Sequence, residues 1–187
     1  MTENRELTEL VERARQGDGE AFGQIYDRFA DRIYGFVLRQ VGNPADAEDI
    51  TTGVFLDALQ QIGRFRWKGA GFSAWLFRIA RNDVLDYFRK QGRSRETELS
   101  EEQLRQPAAT LVDEQVAADW EAEELRRAIR RLSPDQQQVV LLKLQMNFSN
   151  RQIGEVLGKT EGAIKALQHR ALLALKESLE GSAETQE

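Results

Sequence analysis

The chain has 187 residues and no cysteine. That excludes disulfides and thiolate metal sites, and it is what a protein of the reducing cytoplasm would show. Histidine occurs once, as His169. No histidine and carboxylate set with metal-ligand spacing can be assembled, and no glycine-rich phosphate loop is present. Asp46, Glu48 and Asp49 share one turn, but acids near a helix N-terminus ordinarily complement the helix dipole. The expectation is therefore a protein that is not an enzyme, with no catalytic residue, no metal and no cofactor. Only 3 prolines occur and turn clusters are few, which favours helices. No apolar run approaches the roughly 18 residues of a membrane span, so no direct membrane insertion is expected. The opening MTENRELTEL is polar and acidic, unlike a secretory signal.

Charge is plentiful but unevenly placed. The net charge of −5 argues at first against a nucleic-acid partner. From Arg64 to Arg95, however, nine basic residues stand against Asp83 and Asp86. From Glu96 to Glu124, ten acids stand against the single base Arg105. A basic block is followed by an acidic one, and the whole-chain value hides both.

Apolar spacing marks helices throughout and no strand-like alternation. Leu7, Leu10, Val11 and Ala14 mark the first, ending near Gly17. Phe22, Ile25, Tyr26, Phe29, Ile33, Phe36 and Val37 mark a longer second, ending near Gly42. Asn43-Pro44 opens a third, a cap followed by proline at the first position, with Ala47, Ile50, Val54, Ala58 and Ile62 on one side. A fourth carries Phe72, Leu76, Ile79, Ala80, Val84, Tyr87 and Phe88 and runs to about Lys90. Residues 93–112 are acidic, weakly periodic and contain Pro107, as a linker would. Helix resumes over 113–131. Ser133-Pro134 restarts it through Val139, Val140, Leu142 and Met146. The expected architecture is all-α: a four-helix domain (1–92), a linker (93–112), a second helical domain (113–180) and a polar tail (181–187).

Two stretches carry function. Ser149 to Lys176 reads as helix, glycine turn and helix. Ser149 and Gln152 form a capping box, Gly158 is the stop and Thr160 caps the second helix. Ile164, Leu167, Ala171, Leu172 and Leu175 would form the inner stripe of that helix; Glu161, Lys165 and His169 recur on another face. This is either a helix-turn-helix, whose second helix enters a DNA major groove, or an ordinary helical hairpin. In Arg64 to Lys90, aromatic and cationic side chains interleave, as single-stranded nucleic acid requires: flat faces to stack bases and charges to follow phosphates. Phe72, Leu76, Ile79 and Trp75 suit the core. Phe65, Trp67 and the loop cations lie outside the helical stripe and suit exposure.

DAEDITTGVFLDAL, FSAWLFRIARNDVLDYFRKQGR, LSPDQQQVVLLK and SNRQIGEVLGKTEGAIKALQHRAL stand in the order and spacing of the bacterial sigma-70 family, which the chain resembles. The resemblance covers about residues 5–92 and 113–179, and the two-domain layout is similar to its extracytoplasmic-function (ECF) group. It implies a transcription initiation subunit of bacterial RNA polymerase. The first domain would bind the largest core subunit through Asp46, Glu48, Asp49, Thr52, Phe55 and Leu56. It would read and melt the minus-ten promoter element with Arg64, Phe65, Arg66, Trp67, Lys68, Arg78, Asn82 and Arg89. The second would contact the second-largest subunit and read the minus-thirty-five element with Lys159, Thr160, Glu161, Lys165, His169 and Arg170. The acidic linker matches a segment that threads the polymerase, and an anti-sigma factor is an expected partner. A sigma-like interaction protein and a free-standing helix-turn-helix regulator are the alternatives. The chain departs from the family pattern at Thr52-Gly53, at Gln152-Ile153-Gly154 where glutamate-isoleucine-alanine is usual, at Lys159, and at Ala166-Leu167. Leu167 stands for a common arginine, removing a phosphate contact, and is expected to add apolar surface that alters the target.

Overall fold

The computed structural model describes residues 2–67, 69–94 and 120–183, and among these every regular element is a helix. α1 (Thr2–Arg15), α2 (Gly19–Val41), α3 (Pro44–Gln61) and α4 (Gly71–Ser94) form the first unit, with a 3₁₀ turn at Ile62–Arg64. α5 (Trp120–Arg130), α6 (Pro134–Leu144), α7 (Asn150–Leu157) and α8 (Glu161–Ala183) form the second. The expected linker beyond Ser94, residues 113–119 and the end of the tail lie outside the described residues. α4 runs four residues past Lys90, because its last turn is polar and offers no apolar periodicity to read.

Local chemistry sets the helix ends. Asp18 caps α2 by accepting from the Ala21 amide at 3.0 Å, and Arg13 holds the same carboxylate at 2.7 Å. Those two contacts, the amide first, hold the Asp18 carboxyl below its ordinary value. Asn43 accepts from the Ala45 and Asp46 amides, and Pro44 follows at the first helical position. Ser133 and Gln136 form a reciprocal capping box on α6.

The core begins with the stripe of α2. Ile25, Phe29, Ile33, Phe36 and Val37 are all but inaccessible, and α2 packs against α1, α3 and α4. Phe36 meets Phe77 edge-on at 5.3 Å, and Phe29 meets Phe72 at 5.9 Å. Each such side chain contributes about 1.5–3 kcal/mol relative to exposure. The core does not stop at the unit boundary. One contiguous apolar cluster runs from Leu7 in α1 to Leu167 in α8, because α4 packs directly on α7.

Candidate nucleic-acid interface

The loop between α3 and α4 is built on an aromatic cluster. Phe65 is only 5% exposed, against the expectation that it faces solvent. Its ring lies edge-on to Trp67 (5.2 Å) and Phe72 (5.4 Å) and tilted against Trp75 (5.2 Å). The loop folds back onto the first turn of α4 and so buries a residue that lies on no helical stripe. Phe65 is the anchor, and Trp67 beside it is the aromatic that reaches solvent, at 39% exposure. The Trp67 indole N–H donates to Glu12 of α1 at 2.7 Å. Arg64 and Arg66 are exposed as expected, with Arg66 donating to the Phe65 carbonyl at 3.0 Å. Lys68 lies outside the described residues.

α4 continues the cationic surface. Arg78, Asn82 and Arg89 are exposed, and their spacing sets them in one row along the helix. Arg81 is half-buried beside that row and donates to Gln138 at 3.3 Å. Burial lowers the affinity of its guanidinium for its proton, with Asp135 opposing. On another side of α4, burial pushes Asp83 up to about 6, reinforced by the carboxylates of Asp57 and Asp86 and opposed by Lys90.

The expected core-binding residues divide in two. Glu48, Asp49, Thr52 and Leu56 are exposed on α3. Leu59, 49% exposed and one turn after Leu56, extends that surface. The sequence pattern did not single out Leu59, although an apolar residue outside the inner stripe of Ala47, Val54 and Ala58 was a usable signal. Phe55 is 5% exposed and packs against Tyr26 at 4.7 Å, so it supports the helix from inside and offers no surface. Asp46 is half-buried and accepts from the Tyr87 hydroxyl at 2.7 Å. Burial and then that bond push the Tyr87 phenol up to about 12.

The helix-turn-helix is built as its residues predict. Gln152 N–H donates to Ser149 Oγ, and the Gln152 side chain accepts from the Ser149 amide. Gly158 ends α7 at φ +67, and Thr160 Oγ1 accepts from the Ala163 amide at 3.2 Å. Gly154 makes the turn tight: a Cβ there would stand 2.7 Å from the Lys159 carbonyl oxygen. Lys159 pairs with Asp135 at 2.9 Å. Glu161, Lys165, His169 and Arg170 are all exposed on α8, with Lys165 3.4 Å from Glu161. Two expectations fail here. Leu167 is 8% exposed and belongs to the core, so it adds no surface for DNA. Leu172 is 67% exposed. It lies about 100° round the helix from buried Ala171 and continues the outer row instead.

The two units meet where α4 packs on α7. Phe148 packs edge-on to Phe77 at 5.2 Å. Arg78 pairs with Glu155 of α7 at 3.0 Å. Arg32 donates to the Met146 carbonyl at 3.3 Å, and Gln138 donates to Gln40 at 3.3 Å. The Arg151 guanidinium occupies the space a Cβ on Gly69 would need. Among the described residues no helix is long and apolar enough to cross a membrane, and no group of three or more His, Cys, Asp or Glu side chains could hold a metal ion.

Residues 25–94 match the family model for sigma-70 region 2, and residues 122–175 that for sigma-70 region 4. The chain is 38% identical over 174 residues to the ECF RNA polymerase sigma factor BldN of Streptomyces coelicolor, covering 93% of this chain and 66% of that one. It is 34% identical over 173 residues to the RNA polymerase sigma factor CarQ of Myxococcus xanthus, covering 90% and 95%. Its fold is that of the sigma factor RpoE solved with the anti-sigma factor NepR from Bartonella quintana, at a TM-score of 0.61 and 24% identity over 85% of this chain and 96% of that one. The chain belongs to the sigma-70 family of RNA polymerase sigma factors, in its ECF group.

Proposed function

We propose that this sigma factor directs core polymerase through three surfaces. The outer row of α3, from Glu48 to Leu59, binds the largest core subunit. The loop bearing Arg64, Arg66, Trp67 and Lys68, with the Arg78, Asn82 and Arg89 row of α4, reads and opens the minus-ten element. The outer row of α8, starting at Thr160, enters the major groove of the minus-thirty-five element. The observation that carries this reading is the exposed Trp67 set among cations at the start of an exposed basic row. Stacking on such a ring contributes about 1–3 kcal/mol per base and suits strand opening, not duplex reading. The work is cytoplasmic, where polymerase and DNA are, and the acidic linker threads the polymerase. A protein anti-sigma factor is the proposed partner in the unloaded state.

Glu155 competes with a phosphate for the exposed Arg78 guanidinium, so promoter engagement is expected to weaken the Arg78–Glu155 pair. The test is transcription with purified core polymerase on a genomic template library. Specific transcripts are expected. Trp67→Ala with Lys68→Ala is expected to abolish open complexes while leaving core binding intact. Tight promoter binding by the protein without core would favour a free-standing regulator instead.

A further inference from the structure

We infer that Glu12 of α1 is a positioning residue for promoter opening, holding the Trp67 indole in the orientation in which it receives an unpaired base. This rests on the reading of Trp67 as the stacking side chain. α1 precedes residues 25–94, which match sigma-70 region 2, so nothing in that match gives it a part in opening DNA.

The geometry is specific. Trp67 lies on an irregular loop, where an exposed side chain loses rotamer freedom when it stacks. Two contacts have already removed that freedom. The indole N–H is tied to Glu12 Oε1 at 2.7 Å, and the ring is braced edge-on by buried Phe65 at 5.2 Å. Glu12 is itself fixed: Arg15 donates to both its oxygens, at 2.8 and 2.6 Å. The chain of restraint runs from Arg15 to Glu12 to Trp67, and a ring ordered before binding stacks without a further ordering cost.

The charge arrangement supports the same role. A bare carboxylate beside the path of a phosphate backbone would repel DNA. Here Arg15 neutralises it by a two-oxygen contact, and Arg66 adds positive potential. The Arg15 and then Trp67 hydrogen bonds also keep the Glu12 carboxyl below its ordinary value, so it remains an acceptor across the neutral range.

The test uses the full chain with core polymerase on a promoter recovered from genomic transcription, with 2-aminopurine in the strand that unpairs. Trp67→Ala, Trp67→Phe, Glu12→Ala, Glu12→Gln and the Glu12→Ala/Trp67→Phe double variant are compared for open-complex fluorescence, core affinity and Tm. Glu12→Ala is expected to lower the open-complex equilibrium about three- to tenfold, the range of one lost hydrogen bond. Glu12→Gln, which keeps an acceptor oxygen, should retain most of it. Trp67→Phe has no N–H to hold, so adding Glu12→Ala to it should change nothing further. Core affinity should hardly move, and Tm should fall by no more than the few degrees that one hydrogen bond accounts for. If Trp67→Ala is impaired but Glu12→Ala is not, the positioning role is wrong and the stacking role stands. The positioning role is equally wrong if Glu12→Ala costs as much in the Trp67→Phe background, or acts through core affinity or through a larger fall in Tm. If Trp67→Ala opens promoters normally, the stacking reading falls and this inference with it.

Discussion

Gly154→Ala sets two effects of opposite sign against each other. Helix propensity alone favours alanine over an interior glycine by about 1 kcal/mol. The structure opposes it. The new Cβ would stand 2.7 Å from the Lys159 carbonyl oxygen, with the Lys159 carbonyl carbon at 3.7 Å and the Glu161 nitrogen at 3.8 Å. The obstacle is backbone, and it cannot swing aside as a flexible side chain would. The turn is held by the Lys159 N–H to Gly154 carbonyl bond at 2.9 Å, by Gly158 in its left-handed conformation and by the buried neighbours Val156 and Leu157. Forcing a methyl into a packed site costs about 1–3 kcal/mol, so the net expectation is destabilisation by about 1 kcal/mol. At this chain length that lowers Tm by about 2–4 °C. Gly53→Ala is the control. Gly53 is in the interior of α3, and a Cβ there meets nothing within 4 Å, so the same substitution should raise Tm by a similar amount. Thermal melts followed by circular dichroism read both. A Tm increase for Gly154→Ala would refute the steric argument and leave propensity as the whole story.

Asp83 titrates near 6 in the folded chain, above its ordinary value, so folding favours its protonated form. Its penalty is absent below about pH 4 and complete above about pH 7; Asp83→Asn should therefore raise Tm at pH 8 with a gain that fades toward pH 4, and a pH-independent gain would refute the linkage. Tyr87→Phe removes the donor to half-buried Asp46 and should cost about 0.5–1.5 kcal/mol, read as a lower urea midpoint. Glu155→Arg should repel Arg78 and raise binding of a single-stranded oligonucleotide by the free protein, while the distance between α2 and α8, read by energy transfer, stays that of the wild type because the phenylalanine seam is intact. As an exposed pair, Arg78 and Glu155 contribute at most about 1 kcal/mol, so the expected change in binding is under tenfold.

What could be read from the sequence was local. Asn43-Pro44, Ser133-Pro134, Ser149 with Gln152, Gly158 and Thr160 each act on backbone groups within a few residues, and each end fell where its chemistry put it. The outer row Glu161, Lys165 and His169 was legible for the same reason, since helical period alone decides which side chains share a face. Phe65 was not legible, because its burial depends on how an irregular loop closes over Phe72 and Trp75. Phe55 needed knowledge of where Tyr26 of α2 lies. For Leu167 the arginine usual in the family points to the surface, while its own place on the inner stripe points to burial, and burial is what the fold shows. The packing of α4 on α7 joins residues such as Arg78 and Glu155 across the whole linker, and no local pattern announces it.

That packing bears on the two faces proposed to read DNA. Phe77 is fully buried, with Phe36 on one side and Phe148 on the other. Arg78, the next residue, belongs to the row proposed for the minus-ten element and is held by Glu155. Separating the units to free Arg78 therefore also uncovers one face of Phe77 and part of Phe148. Newly exposed apolar surface costs about 25 cal/mol per Å², so about 40 Å² of it already matches the roughly 1 kcal/mol that an exposed ion pair contributes at most. The seam is thus held by its phenylalanines, and the ion pair sets mainly register. A ligand that touches only Arg78 cannot open it. One that binds both units at separated positions can, because its differential affinity for the open form is what moves the equilibrium. Core polymerase, if bound by α3 and by the second unit as proposed above, has that geometry; a DNA fragment carrying one promoter element does not.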